Sequence, residues 1–580
     1  MRYTDSTSMP ATLDVLLSDI EAARNDFSPD APHRIKRLLQ KLARQELSEP
    51  KALVRFHEAL LFLRAFPQSV SVVTAVERLL NTFHKWIEEA RASGRDMSAF
   101  DDFDTSGIAG TTMQDTLNFE VARWLARRTP RNVEIVWDDY EEERAMGSTW
   151  PRFVPLLRED SEVEANIPWR RWLEAVRGRE KELAWLIRQF ERWSPGTDSE
   201  RGRAELYDSL RLPVRWRLEN LKLSRTRNWR RPRKVFFHRG PLITRKEVSL
   251  AAELARPNPK LVRVPRREGE ATMRLIREVM LVRYRELYGT TLGDPVSVVR
   301  AQLDRGVEMY FWNLPASRRL PLRAYVAGFT LKNGVPVNYI EAIGLCEWIE
   351  VGFNTFYTYR QGETAWIYAQ ALRCLCALTG AKTISVYPYQ IGQDNDEALD
   401  SGAFWFYRKL GFRSGKPELE KLAREEETKI AANPGYRTPR RILKQLAGAH
   451  VFFETTVKNG EIQCGAWDTF STRNVGIRVS TKMAREFDGN ADRIRDVSVR
   501  KVAKALQLDT TNWTGAEFHS LENWSLVLAL IPDLSKWTAN EKRELIEIVR
   551  SQAGRNEMRY LRQTQRHARL RERLLWLGSR

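Results

Sequence analysis

The sequence has few cysteines and no long apolar segment. Its 580 residues include four cysteines, at positions 346, 374, 376 and 464, and their spacing matches no zinc site. A secreted disulfide-bonded protein of this size would usually carry more, so we interpret them as reduced thiols of a cytoplasmic protein. No apolar run approaches the roughly 20 residues that cross a bilayer, which predicts no membrane span. The first residues lack an apolar signal core, so we do not expect export.

Several motifs that carry common chemistries are also absent. The seven histidines are scattered and form no H-x-x-x-H pair. A Walker loop, a G-x-S-x-G elbow and paired C-x-x-C motifs are missing. These absences weigh against metal-dependent, P-loop and serine-hydrolase chemistry, and we predict no metal site.

Positive charge, in contrast, is abundant. The net charge of +19 is that of a protein with an anionic partner, or of one with a basic but inert surface. Residues 222–246 hold ten Lys or Arg and no acid, with Trp229, Phe236 and Phe237 among them. This strip is either a basic interdomain linker or a surface that binds phosphates and stacks bases. Residues 555–580, with eight arginines, predict either a solvated terminal helix or a second contact for tRNA or another polyanion.

The chain is too long for one hydrophobic core, and its patterns divide it into four segments. Residues 1–235 predict a mainly helical N-terminal domain, because apolar residues recur at three- and four-residue steps. Residues 236–257 form the predicted basic linker, residues 258–424 read as mixed α/β, and residues 425–580 are again mainly helical. One helical pattern of the first segment begins after Pro168 and runs through several tryptophans to Trp193.

The mixed segment contains a strong β-hairpin signal. Alternating apolar residues flank Asn333-Gly334, a pair that favours tight primed turns. A strand, a turn and a helix follow over 348–380, and residues 381–389 predict a further strand. A short aromatic helix then ends at Gly411, and another strand is expected after it. We therefore expect an α/β fold with a central mixed sheet between helical domains.

Two motifs in this segment resemble those of the GNAT acyltransferase superfamily. Residues 403–412, AFWFYRKLGF, look like its late helix, a small residue and aromatics followed by Tyr, two polar residues and Leu-Gly-Phe. Residues 359–365, YRQGETA, look like the loop that holds the coenzyme A pyrophosphate ahead of a helix. The resemblance covers about a quarter of the chain. It implies a GNAT-like domain that transfers an acyl group from acetyl-CoA or another acyl-CoA to an amine.

The resemblance also implies roles for particular residues. Tyr407 would be the acid that protonates the leaving thiolate, and Glu341 or Glu350 the base, with Glu347 as a further candidate. The phosphates of the donor would contact the turn before the helix and the end of the late helix, through these residues: Arg360, Gln361, Gly362, Thr364, Arg408 and Lys409.

The pyrophosphate loop departs from the family pattern. Tyr359 stands where the family has Arg or Gln, and Thr364 where it has a small residue. Glu363, next to the glycine, stabilises the first turn of a helix but would repel an incoming diphosphate. Either Glu363 points away from the loop, or the loop does not bind the ordinary coenzyme.

Three functions remain open at this stage. The first is acyl-CoA-dependent N-acyl transfer. The second keeps the fold but takes the acyl group from aminoacyl-tRNA, as Fem-type and leucyl/phenylalanyl transferases do, which would suit the altered loop and the net charge. The third is a non-catalytic GNAT-like domain that binds nucleic acid or a protein partner.

Overall fold

A computed structural model describes residues 11–163, 167–193, 199–219, 221–285, 287–455 and 467–579. The chain forms two compact units. The first unit comprises 1–241, 273–291 and 333–336, and the second comprises 242–272, 292–332 and 337–580. The four-segment division expected from the sequence stays a prediction. Within the described ranges, no helix combines the length and apolar character that a bilayer crossing requires.

The first unit is mainly helical and also contains a small sheet. Strands β1 (Thr112–Thr116), β2 (Val133–Ile135) and β3 (Pro213–Arg217) are antiparallel in the order β1-β3-β2. The helices are α1 (Ala11–Ala23), α2 (Ala31–Leu42), α3 (Pro50–Ala65), α4 (Val70–Ala92), α5 (Phe119–Arg128), α6 (Glu143–Thr149), α7 (Leu157–Val163), α8 (Trp169–Arg177), α9 (Glu182–Arg192) and α10 (Ser199–Ser209).

The aromatic residues of the first unit are mostly core. Trp150, Trp169, Trp185 and Phe190 belong to one buried cluster with the strands of the small sheet. The helical pattern expected from Pro168 to Trp193 is interrupted, because Gly178 has a φ of 60° between α8 and α9. The apolar periodicity therefore continues across two helices rather than along one.

The second unit is built on a nine-stranded sheet. Its order is β11-β12-β10-β9-β8-β7-β6-β5-β4, and among the registered pairs only β9 with β10 is parallel in the described chain. The strands are β4 (Leu261–Arg263), β5 (Val299–Gln302), β6 (Val307–Trp312), β7 (Ala324–Lys332), β8 (Val335–Leu345), β9 (Trp348–Thr355), β10 (Thr383–Val386), β11 (Arg413–Ser414) and β12 (Val451–Glu454).

Helices precede, cover and follow this sheet in the chain. They are α11 (Leu250–Ala255), α12 (Arg266–Leu281), α13 (Tyr288–Leu292), α14 (Thr364–Thr379), α15 (Pro388–Ile391), α16 (Asp396–Asp400), α17 (Ala403–Lys409), α18 (Pro417–Ala432), α19 (Arg440–Leu446), α20 (Thr472–Phe487), α21 (Ala491–Leu506), α22 (Gly515–Leu528), α23 (Ala539–Gln552), α24 (Glu557–Arg566) and α25 (Ala568–Gly578). Residues 266–272 of α12 and Leu292 of α13 belong to the second unit, and the rest of both helices to the first.

The hairpin and the late helix form where the sequence predicts them. Asn333 and Gly334 both have positive φ, 49° and 79°, as a primed two-residue turn requires. At the end of α17, Gly411 has a φ of 107° and donates to the carbonyl of Arg408, while Phe412 donates to that of Tyr407. This pair of bonds closes the helix as a Schellman motif does.

Strand β12 follows α19 in the chain and lies between β10 and β11 in the sheet. The sequence predicts a strand pair over residues 451–467. Strand β12 forms its first part, and residues 456–466, with Cys464, lie outside the described residues.

Candidate functional site

The two parallel strands separate part-way along their length. Their pairing runs from Thr383 opposite Trp348 to Ser385 opposite Glu350. Strand β9 then continues to Thr355 paired with β8 alone, while β10 ends at Val386. The edge of β9 from residue 351 onward therefore faces an opening in the sheet.

A cavity of about 410 Å³ lies beside this opening and is named here the α14 cavity. The end of β9, the turn before α14, and helices α16 and α17 contribute to it. Four of the site residues predicted from the sequence line it together: Arg360, Gly362, Thr364 and Tyr407.

The N-terminus of α14 is open to this cavity. Within the described chain, the backbone N–H groups of Thr364 and Ala365 have no hydrogen-bond partner, and both residues line the cavity. The N-cap residue is Glu363, but its side chain makes no capping hydrogen bond. Uncapped N–H groups and the helix dipole together favour an anion at this position.

The carboxylate of Glu363 is turned into the protein instead. It lies 2.9 Å from the Lys332 ammonium, accepts a 2.7 Å hydrogen bond from Arg305 Nε, and is fully buried. Burial by itself would raise the pKa of Glu363, but these two cations hold it below its usual range. The charge of Glu363 is therefore neutralised by buried contacts within the protein.

Lys332 is as deeply buried as its partner. Burial lowers the pKa of Lys332 to about 8, although the charge of Glu363 acts in the opposite direction. The ammonium also donates to the backbone carbonyl of Arg305, at 2.6 Å. Lys332 and Glu363 thus form a desolvated, hydrogen-bonded ion pair beside the turn that precedes α14.

Tyr407 forms part of the wall of the α14 cavity. Its ring packs edge-on against Tyr368 and Phe412, with centroids 5.7 Å away in each case, and the residue is 4% exposed. Burial raises the pKa of its phenol well above the usual range. The hydroxyl stays protonated at neutral pH, as an ordinary phenol does, and burial makes it a weaker acid than a solvated tyrosine.

Glu350 lies in a different cavity, of about 810 Å³, named here the His450 cavity. Its carboxylate is 2.8 Å from His450 Nε2 and 3.4 Å from Arg323 Nη1, and all three residues line the cavity. Burial opposes the ionised form, but the hydrogen bond from His450 and the charge of Arg323 keep the pKa of Glu350 below its usual range.

The two cavities are on opposite faces of β9. Phe353, which lines the α14 cavity, packs on Tyr368 of α14, with ring centroids 4.6 Å apart. Trp348 and Glu350, at the alternate positions, line the His450 cavity. Side chains three residues apart on a strand point to opposite sides, so Tyr407 and Glu350 reach the region of the opening from different faces.

The remaining candidate bases have structural partners. Glu341 accepts a hydrogen bond from the Tyr325 hydroxyl, and burial raises its pKa despite that bond. Glu347 accepts hydrogen bonds from Arg571 and, at 2.7 Å, from Trp467. Neither glutamate lines the α14 cavity or the His450 cavity.

Three of the predicted phosphate ligands also lie outside the α14 cavity. Arg408 is buried and donates to Glu420, at 2.6 Å, and to Glu427, at 2.8 Å. Lys409 and Gln361 are exposed and belong to neither cavity lining. The structure thus brings together the turn and the tyrosine, but not the cations that end α17.

His450 is the residue that the sequence reading missed. It precedes β12, and only the insertion of that strand beside β10 brings it to Glu350. A single histidine before a short strand carries no recognisable spacing, so no local signal identified it. Among the described residues, no cluster of three His, Cys, Asp or Glu side chains is arranged to hold a metal ion.

Comparisons with protein-family models, with curated proteins and with solved structures found no match to this chain. The function is therefore argued from the site itself.

Proposed function

We propose that the second unit is a GNAT-like N-acyltransferase that moves an acyl group from an acyl-CoA to an amine. The observation that carries the proposal is the uncapped N-terminus of α14, which faces a cavity that also contains the Tyr407 side chain. A phosphate-bearing thioester placed there would have its diphosphate at the N–H groups and its sulfur toward the phenol. The parallel pair that separates beside this cavity supports the same reading.

The chemistry follows from the groups present. The amine nitrogen would attack the thioester carbonyl, the C–S bond would break, and Tyr407 would give its proton to the thiolate. The proton lost by the attacking amine would go to His450, which Glu350 orients through the 2.8 Å hydrogen bond. Glu350, with its low pKa, serves better as the orienting carboxylate than as the base itself.

Acetyl-CoA at about 1 mM should raise the melting temperature, because a ligand that binds only the folded state stabilises it by mass action. Gly362→Asp should abolish the shift, since it places a carboxylate on the cavity lining at the open helix end. An unchanged melting temperature of the wild-type protein at this ligand concentration would count against the coenzyme as donor.

Turnover is tested with a panel of amines by thiol release and by mass spectrometry of the product. Tyr407→Phe should lower kcat/KM by about 10²-fold or more, the usual contribution of a general acid. Tyr368→Phe is the matched control, because Tyr368 is the neighbouring buried tyrosine and lies outside the cavity lining. Equal activities of the two variants would remove Tyr407 from the reaction.

One observation favours a second donor, aminoacyl-tRNA. Arg360, one of two arginines on the α14 cavity lining, is paired with Glu397, which lines the same cavity. That pairing weakens the attraction of the cavity for a diphosphate, and so favours a donor whose phosphates bind outside this cavity. Acyl transfer from charged tRNA, with none from acetyl-CoA, would select this donor. Product from neither donor would favour the non-catalytic alternative.

A further inference from the structure

The first unit contains a cavity of about 1200 Å³, named here the basic cavity. One wall is the α4 surface from Val73 to Thr82, and the other is formed by parts of residues 222–235, with part of α12 between them. All of its lining residues belong to the first unit. The acyl-transfer proposal makes no use of this cavity.

Residues 225 and 226 of the basic strip are anchored to α3. The Nε2 atom of His57 lies 3.0 Å from the Thr226 hydroxyl oxygen. Arg64 donates a hydrogen bond of 2.9 Å to the backbone carbonyl of Thr226. Arg225 is buried and lies 2.8 Å from the Glu58 carboxylate. These bonds fix the backbone from which the cationic side chains project toward the cavity.

The charge on the lining is strongly unbalanced. Eight arginines and lysines face two carboxylates, and Glu77, one of the two, is engaged by Arg64 at 2.6 Å and by Arg227 at 3.2 Å. Three exposed arginines of the lining, Arg78, Arg231 and Arg233, form no ion pair with any described residue, whereas Arg128 and Arg274 interact electrostatically with Glu278. Such a concentration of unneutralised guanidinium groups in a concave site attracts a polyanion.

An aromatic ring stands among these cations. Trp229 lines the cavity, is partly exposed, and carries the Arg64 guanidinium 5.2 Å from its ring centroid. A partly exposed indole on a cavity lining can act as a platform on which a base stacks. A phosphate chain without bases would have no ring to stack on this indole.

We propose that the basic cavity binds single-stranded nucleic acid, with the unpaired arginines on its phosphates and Trp229 stacked on a base. The concave shape favours a single strand, because an unpaired strand can turn a base toward the indole whereas a duplex keeps its bases stacked inside. This inference is independent of the acyl-transfer proposal, since it uses only residues of the first unit.

The test uses the full chain and a fluorescein-labelled oligouridylate of about twelve nucleotides, followed by fluorescence anisotropy. Affinity is measured from about 50 to 400 mM KCl, because each phosphate contact adds about 0.7 to the slope of log K against log salt for a single strand. The double variant Arg231→Gln/Arg233→Gln should bind more weakly and show a slope smaller by about 1.4.

The matched control is Lys36→Gln/Arg37→Gln, which removes the same charge from exposed, unpaired positions on α2. It should leave affinity and slope close to those of the wild-type protein. Trp229→Ala should weaken binding by about 5- to 150-fold, and Trp229→Phe should retain most of it, because the ring still stacks. Melting curves of the unliganded variants verify that each is folded.

Three results would overturn the proposal. The first is an equal loss of affinity in the cavity variant and in the α2 control, which would show that binding depends only on the net charge of the protein. The second is equal or tighter binding of the corresponding duplex. The third is displacement of the RNA by inorganic tripolyphosphate at the same phosphate concentration, together with unchanged binding by Trp229→Ala, which would assign the cavity to polyphosphate.

Discussion

The buried pair under the turn before α14 gives a sharp prediction. Glu363→Gln keeps the size of the side chain but removes the carboxylate that lies beside the Lys332 ammonium, and both side chains are fully buried. Breaking such a pair by removing one partner costs about 3–5 kcal/mol, because it leaves an uncompensated buried charge. We expect a loss of this size at pH 7 in urea unfolding followed by tryptophan fluorescence.

Loss of the Lys332 proton accounts for only part of this cost. In the variant, the lysine can avoid the penalty of a buried unpaired charge by losing its proton. Because the folded wild-type lysine has a pKa of about 8, that deprotonation costs about one pKa unit at pH 7, or about 1.4 kcal/mol. The remainder comes from the lost hydrogen bonds of the carboxylate with Arg305 and Lys332.

The same residue predicts a pH signature. The pKa of Lys332 is lowered, so the unfolded chain binds more protons at high pH, and stability rises with pH in both proteins. In the wild-type protein this rise begins near pH 8, and in the variant it begins below pH 7. The difference between the two proteins should accordingly shrink by about 1.4 kcal/mol on going from pH 7 to pH 9.

The control is Glu397→Gln, which removes a carboxylate that is about half exposed and should cost about 0–1 kcal/mol. Glu363→Gln should also leave the affinity for acetyl-CoA within a few-fold of the wild-type value, because the carboxylate is already neutralised. A loss no larger than that of the control, or a tenfold gain in affinity, would refute the reasoning.

Three further substitutions are read by the same unfolding assay. Asn333→Ala should lower the free energy of unfolding by about 2–4 kcal/mol. It places alanine at a φ of 49° and removes three hydrogen bonds to backbone groups of the first unit. Asn333→Gly should lower it less, because glycine adopts this φ without strain. Arg408→Gln should cost about 2–4 kcal/mol without changing acetyl-CoA affinity, because the guanidinium is buried between two glutamates, and weaker ligand binding would contradict this purely structural role. Burial raises the pKa of Glu278 to about 7, although the charges of Arg128 and Arg274 act in the opposite direction. The folded protein therefore loses stability as the pH rises from 4.5 through 7. Glu278→Gln should accordingly stabilise the protein by about 1–3 kcal/mol near pH 8.5 and have no such effect near pH 4.5.

The features that the sequence predicted correctly are those set by a few neighbouring residues. The Asn333-Gly334 turn and the end of α17 at Gly411 depend on backbone angles that particular residues favour locally. The strands of the first unit, three to five residues long, carry too little alternation to be distinguished from loops. The position of β12 between β10 and β11 depends on pairing across more than 60 residues, which no local pattern encodes.

The site shows the same division between local and distant causes. The turn before α14 and Tyr407 were predicted as site residues because each lies in a recognisable local motif, and both line one cavity. His450 and the partners of Arg408 were not, because each contact joins separate elements of the chain.

Glu363 shows why a local rule can name a conflict without resolving it. Its charge in the first turn favours α14 and opposes an anion there, and sequence spacing gives no ground for choosing between these effects. The choice is made by Lys332, at the end of β7, and by Arg305, which draw the carboxylate beneath the turn. Since the side chain then caps nothing, the N–H groups of α14 remain open to the cavity. An ion pair between residues 31 positions apart in the sequence thus leaves the N-terminus of α14 without a side-chain cap.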